Sequence, residues 1–96
     1  MIVVEGTFRI KDLEATRPAM ERMIEASRAE DGCVDYAYAQ DLLDPHLMRV
    51  TELWRDRATF KAHLETPHLA AWRAEWDALG ISDRDLRIYD AEPKPL

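Results

Sequence analysis

Two periodicities alternate along this chain, and their order constrains the fold more than any other feature of the sequence. Ile2, Val4, Phe8 and Ile10 recur at every second position, with Gly6 on the same side, so residues 2–10 are predicted as a strand. A glycine in that row removes side-chain bulk and points to a bulge or a close neighbour. Met20, Met23, Ile24 and Ser27 then recur at helical spacing. Pro18 has no N–H and belongs in a first turn, which puts the helix start near Ala15 or Thr16 and its end near Glu30. Gly32 stands where a left-handed cap would end it.

Period two returns over residues 33–41. Val34, Tyr36 and Tyr38 face one way, and Cys33, Asp35, Ala37 and Ala39 the other. After a loop with Asp44-Pro45 at its turn, it returns again over residues 48–55. Met48, Val50, Glu52 and Trp54 share one face of that third strand. Asp56 is a candidate N-cap for a short helix ending near Glu65. Thr66-Pro67 restarts the helix, with Thr as cap and Pro at the first helical position, and Gly80 ends it. Leu69, Trp72, Trp76 and Leu79 form its apolar stripe. A last strand over residues 84–91 alternates Leu86 and Ile88 with Arg87 and Tyr89. Pro93 and Pro95 end the sheet, so residues 1–92 read as one domain and 93–96 as a tail.

The order β-α-β-β-α-β is the ferredoxin-like α+β pattern, with one antiparallel four-stranded sheet and helices on a single face. The second face must meet water or another protein. It carries Val3, Cys33, Ala37, Ala39 and Leu53 among scattered charges. A chain of 96 residues builds only a modest core. Covering that second face with another copy supplies what the core lacks, so a homodimer through the open sheet face is expected.

Several function classes fall away. With Lys plus Arg at 13 and Asp plus Glu at 19, the net charge is −6, and a phosphate backbone would be repelled; no nucleic acid is expected as partner. No apolar run approaches the ~20 residues of a membrane span. The first ten residues carry Glu5 and Arg9 and do not read as a signal peptide, so a cytoplasmic location is expected. Cys33 is the only cysteine. The glycines stand far apart, which leaves no phosphate-binding loop and no nucleotide or flavin site.

The chemistry-bearing residues gather on the face expected to look toward the helices. Glu52 sits there beside Trp54, and a carboxylate at such a position needs a partner, such as an arginine at the rim, or a cavity. Tyr36 and Tyr38 share that face, and His63 lies on the helix above with Phe60 beside it. Trp72 and Trp76, one helical turn apart, make a flat wall as well as core. Carboxylate, imidazole, phenol and indole N–H around apolar walls describe a pocket for a small aromatic molecule. His63 and His68 do not read as a metal pair. Residues five apart point about 140° from one another on a helix, and Thr66-Pro67 intervenes. No metal is expected.

Glu52-Leu53-Trp54-Arg55-Asp56, followed by Phe60, Ala62-His63 and Thr66-Pro67-His68, resembles the signature of the antibiotic biosynthesis monooxygenase family. Ser27 to Cys33 and Tyr36 match its pattern at the end of the first helix and in the second strand. The resemblance implies a dimeric α+β barrel, two ferredoxin-like subunits packed sheet to sheet, each with its own cavity. It implies monooxygenation of a small quinol, phenol or polyketide-type aromatic by O2 with no metal or flavin cofactor. Members that degrade heme use an Asn on the first strand, and this chain contains no Asn. On this reading His63 is the base and Trp54 N–H, with a tyrosine hydroxyl, holds the developing oxyanion. Glu52, Tyr36, Tyr38, Phe60, His68, Trp72 and Trp76 bind and position the substrate. The alternatives are a dimer that binds an aromatic ligand without turnover, a lactone isomerase-like enzyme on the same fold, and an oligomerisation module whose cavity is filled by its own side chains.

Overall fold

The computed structural model describes residues 1–96. The elements are β1 (Ile2–Arg9), α1 (Leu13–Arg28), β2 (Cys33–Gln40), β3 (Leu47–Trp54), α2 (Arg57–His63), α3 (Pro67–Leu79) and β4 (Ser82–Asp90). The strands form one sheet in the order β2-β3-β1-β4, with every neighbouring pair antiparallel. Each crossover through helices skips one strand, as the ferredoxin-like α+β fold requires. The helices cover the sheet face that carries Ile2, Val4, Phe8, Met48, Val50 and Trp54, all buried. Burial alternates strictly along β1, because its second face has no helix over it.

The first helix begins earlier than Pro18 led us to expect. Asp12 is the N-cap, its carboxylate accepting from Ala15 N at 3.0 Å, and Thr16 Oγ1 donates to Asp12 O at 2.7 Å. Pro18 therefore lies inside α1. It removes only the bond to the Glu14 carbonyl. Glu14 and Pro18 are both exposed, so water replaces that bond.

Of the two readings of Gly6, a close neighbour holds and a bulge does not. Gly6 pairs in register with Val50 and Leu86, and the irregularity in the β1–β4 ladder lies between Thr7 and Arg9. Gly6 is there for closeness: a Cβ would stand 2.0 Å from the Asp85 carbonyl oxygen. The bulge is in β2, where Cys33 pairs with Trp54 and Asp35 with Leu53. Val34 is the extra residue and is 54% exposed. One inserted residue inverts the alternation, so Cys33 packs against the core and does not belong to the open face. Beyond the bulge Tyr36 and Tyr38 face the helices as expected. The open face keeps Val3, Ala37 and Leu53, half-buried, and Ala39, exposed, among charged neighbours.

The two short helices have the local signals that the sequence carries. Asp56 and Thr59 form a reciprocal capping box on α2. Thr66 caps α3, Pro67 occupies its first turn and Gly80 closes it at φ 71°. The break at residues 64–66 redirects the chain, and the candidate site depends on it.

Candidate active site

A cavity of about 240 Å³ lies between the sheet and α2–α3 and opens to solvent. Strand register builds its floor. Tyr36 and Val4 flank Glu52 on either side, and Tyr38 lies opposite Val50. Phe60 and His63 of α2 and Leu69, Trp72 and Trp76 of α3 form the wall above, and Arg73, Arg84, Leu86 and Ile88 complete the rim. The space is not filled by the chain's own side chains, which counts against a pure oligomerisation module.

Glu52, Tyr36, Tyr38, Phe60, His63, Trp72 and Trp76 thus line one cavity; Trp54 and His68 stand outside it. Tyr38 stacks on Trp72 with ring centroids 5.8 Å apart, and Phe8 meets both rings edge-on. The Tyr36 and Tyr38 hydroxyls are 2.8 Å apart. Burial pushes both phenols well above their ordinary range, so both keep their protons and remain donors.

Trp54 is fully buried, and its Nε1–H donates to Glu52 Oε1 at 3.0 Å. The structure therefore spends the Trp54 N–H on a carboxylate, where a substrate oxyanion was expected. No arginine pairs with Glu52. Burial pushes the Glu52 carboxyl up to about 7, and the Trp54 hydrogen bond opposes the shift. Only Oε1 of this carboxyl has a protein partner within hydrogen-bond distance.

Glu30, which sequence reasoning missed, organises the far side of His63. Its Oε2 lies 2.6 Å from His63 Nδ1 and 2.7 Å from His68 Nε2. The premise that these histidines diverge fails because they do not share a helix: His63 ends α2, His68 opens α3, and the break turns both toward one point. A carboxylate accepts, so each facing nitrogen carries a proton. His63 is then the Nδ1–H tautomer, and its Nε2 lone pair faces Glu52 Oε1 at 3.9 Å, beyond hydrogen-bond range. Burial pulls the imidazole below its ordinary value, with Glu30 opposing. One sequence signal was available. An acid near a helix C-terminus is unfavourable to the dipole and asks for a cationic partner. Glu30, His63 and His68 are also a donor set of the type that binds metals, their ligand atoms lying within 4.8 Å of one another. As placed, the carboxylate is satisfied by the two imidazoles.

A family model described as antibiotic biosynthesis monooxygenase matches residues 1–75, a stretch that holds Glu30, Glu52, Trp54, His63 and His68. The chain belongs to the antibiotic biosynthesis monooxygenase family. Membership supports a monooxygenase-like function. The fold agrees with that of a candidate antibiotic biosynthesis monooxygenase from Deinococcus radiodurans, at TM-score 0.92 and 24% identity over 100% of this chain and 97% of the other. A candidate family member from Nitrosomonas europaea is 25% identical, with TM-score 0.82, over 95% of this chain and 98% of its own. An uncharacterized protein of Synechocystis is 29% identical over 90 residues, covering 92% of this chain. The match spans 61% of that relative's length. Arg84, Leu86 and Ile88 of the cavity rim lie outside the segment that the family model matches. No helix is long and apolar enough to cross a membrane.

Proposed function

We propose that the cavity is the active site of a monooxygenase that places one atom of O2 on a small hydroquinone or related phenol. The observation that carries this reading is the pairing of an aromatic-walled cavity with a carboxyl whose proton affinity lies near neutrality. Such a group serves best as a proton acceptor at neutral pH.

The reaction needs no electrons from outside the substrate pair. A hydroquinone gives up a hydroxyl proton to Glu52 or to the His63 Nε2 lone pair. The anion passes one electron to O2, and the resulting radical and superoxide join through a new carbon–oxygen bond. The peroxide takes back the proton. Cleavage of its O–O bond, with loss of the ring C–H proton, releases water and leaves a hydroxyquinone. One O2 is consumed, and one of its atoms enters the product while the other leaves in water.

The chain's part is to take and return a proton, hold the ring and keep water away. Trp72 and Tyr38, stacked on each other, would flank the ring, and the one hydroxyl proton of the Tyr36–Tyr38 pair not used in their mutual hydrogen bond would donate to a developing oxyanion. Trp54 would position Glu52, and Glu30 would hold His63 in the tautomer that leaves Nε2 free. A second copy over the open sheet face, against Val3, Ala37 and Leu53, completes the proposal as a homodimer. Oxygen uptake with a panel of hydroquinones tests it: uptake that Glu52→Gln removes supports the assignment, and uptake no greater than that of the denatured protein ends it.

A further inference from the structure

We infer that the substrate is an aromatic acid, whose carboxylate is received by Arg84 of β4 and Arg73 of α3 at the rim of the cavity. The inference rests on the reading of the cavity as an aromatic-substrate site and adds the charge of the molecule that enters it.

Four of the ten arginines, Arg17, Arg28, Arg73 and Arg84, have no carboxylate within 4.0 Å, and of these four only Arg73 and Arg84 line the cavity. Arg87, which also lines it, is paired with Glu5 and Asp85. Carboxylates are not scarce in a chain with 19 acidic residues against 13 basic ones. Two cations left unpaired at one apolar mouth repel each other, and a shared anion would relieve that repulsion.

The surroundings fit a planar anion on an aromatic body. The Arg84 guanidinium lies over the Trp76 ring, its carbon 4.2 Å from the centroid, which fixes the orientation of its donors. Partial burial and the nearby Arg73 hold Arg84 below its ordinary proton affinity, with Tyr38, Tyr36 and Glu52 opposing. A carboxylate supplies the acceptor that the guanidinium lacks, and its two oxygens match the guanidinium fork.

The position of the arginine also suits the proposed chemistry. Glu52 pairs with Val4, whereas Arg84 lies near the level of Phe8, since Thr7 pairs with Asp85. Four residues of strand separate the two levels, about 13 Å along the floor. A single ring with a carboxylate at one end and a hydroxyl at the other lies along that floor, its carboxylate toward the Arg84 level and its hydroxyl toward the Glu52 level.

The test compares 2,5-dihydroxybenzoate with its neutral amide, by tryptophan fluorescence quenching and by calorimetry at low salt. The acid is expected to bind about tenfold more tightly than the amide, the scale of a hydrogen bond to a charged group. In Arg84→Gln and Arg73→Gln the ratio of acid to amide affinity should fall toward one, and added salt should lower it in the wild type. The amide serves as the internal control for folding of the variants. If acid and amide bind equally, or the ratio survives both substitutions, the charge assignment is wrong while the aromatic-site reading stands. If neither molecule binds, both readings fall.

Discussion

Trp54 Nε1 donates to Glu52 Oε1 across two residues of β3, at 3.0 Å, with the indole fully buried and the carboxyl 5% exposed. The bond holds one oxygen of a carboxyl that burial has brought close to neutrality. A tryptophan that would otherwise count as core thereby becomes the anchor of a titrating group on the cavity floor.

Glu52→Gln keeps the acceptor for Trp54 and removes the charge. In the unfolded chain this carboxyl titrates at its ordinary value of 4.5, and in the folded chain at about 7. The folded state therefore binds the extra proton between those values. The associated stability is full below 4.5 and is lost as pH rises through about 7. The variant should gain up to roughly 3 kcal/mol over wild type at pH 8 and nothing at pH 4, measured by urea unfolding. Turnover should rise with pH through about 7 in the wild type, as the acceptor ionises. The variant should lose roughly a hundredfold or more in kcat.

Glu30→Gln tests the second anchor. With the carboxylate gone, His63 loses its fixed tautomer, and kcat should fall at least about tenfold with little change in KM. Nitrogen NMR of the imidazoles should show an Nδ1–H His63 in the wild type and a tautomer mixture in the variant. An unchanged His63 spectrum would remove Glu30 from the mechanism.

The fold was legible because period two and period 3.6 alternate cleanly, and because Asp56, Thr66-Pro67 and Gly80 mark helix ends by local chemistry. What escaped were features set by tertiary context. The β2 bulge comes from one extra residue, Val34, which no composition rule marks, and it moves Cys33 to the other face. Pro18 is tolerated inside α1 because water reaches the carbonyl it orphans. Glu30, and the meeting of His63 and His68 on its carboxylate, were hidden for a related reason: a helix break changes which residues meet, and angular arithmetic on an unbroken helix does not apply across it. Tyr36, Tyr38 and Glu52 could be placed together from strand alternation, and His63 above them from the order of the elements.

Gly6→Ala should destabilise severely. The added Cβ would press on the backbone of β4 at Asp85, which cannot rotate away, and φ at Gly6 is +156°. A loss of about 3 kcal/mol or more is expected, read as a fall in the thermal midpoint. A midpoint within a degree or two of wild type would contradict the close approach of β1 and β4.

Sedimentation should give a species of twice the 11.1 kDa chain mass. Leu53→Glu, on the half-buried part of the open face, should return it to the monomer. A wild-type monomer at high concentration would remove the second subunit from the proposal.

Isotope labelling reaches the central claim most directly. Incubation with a hydroquinone under ¹⁸O2 should give a hydroxyquinone carrying one labelled oxygen, with the second label in water, at a rate that falls with Glu52→Gln. A product with no label, or labelling at the same rate in that variant, would contradict the account.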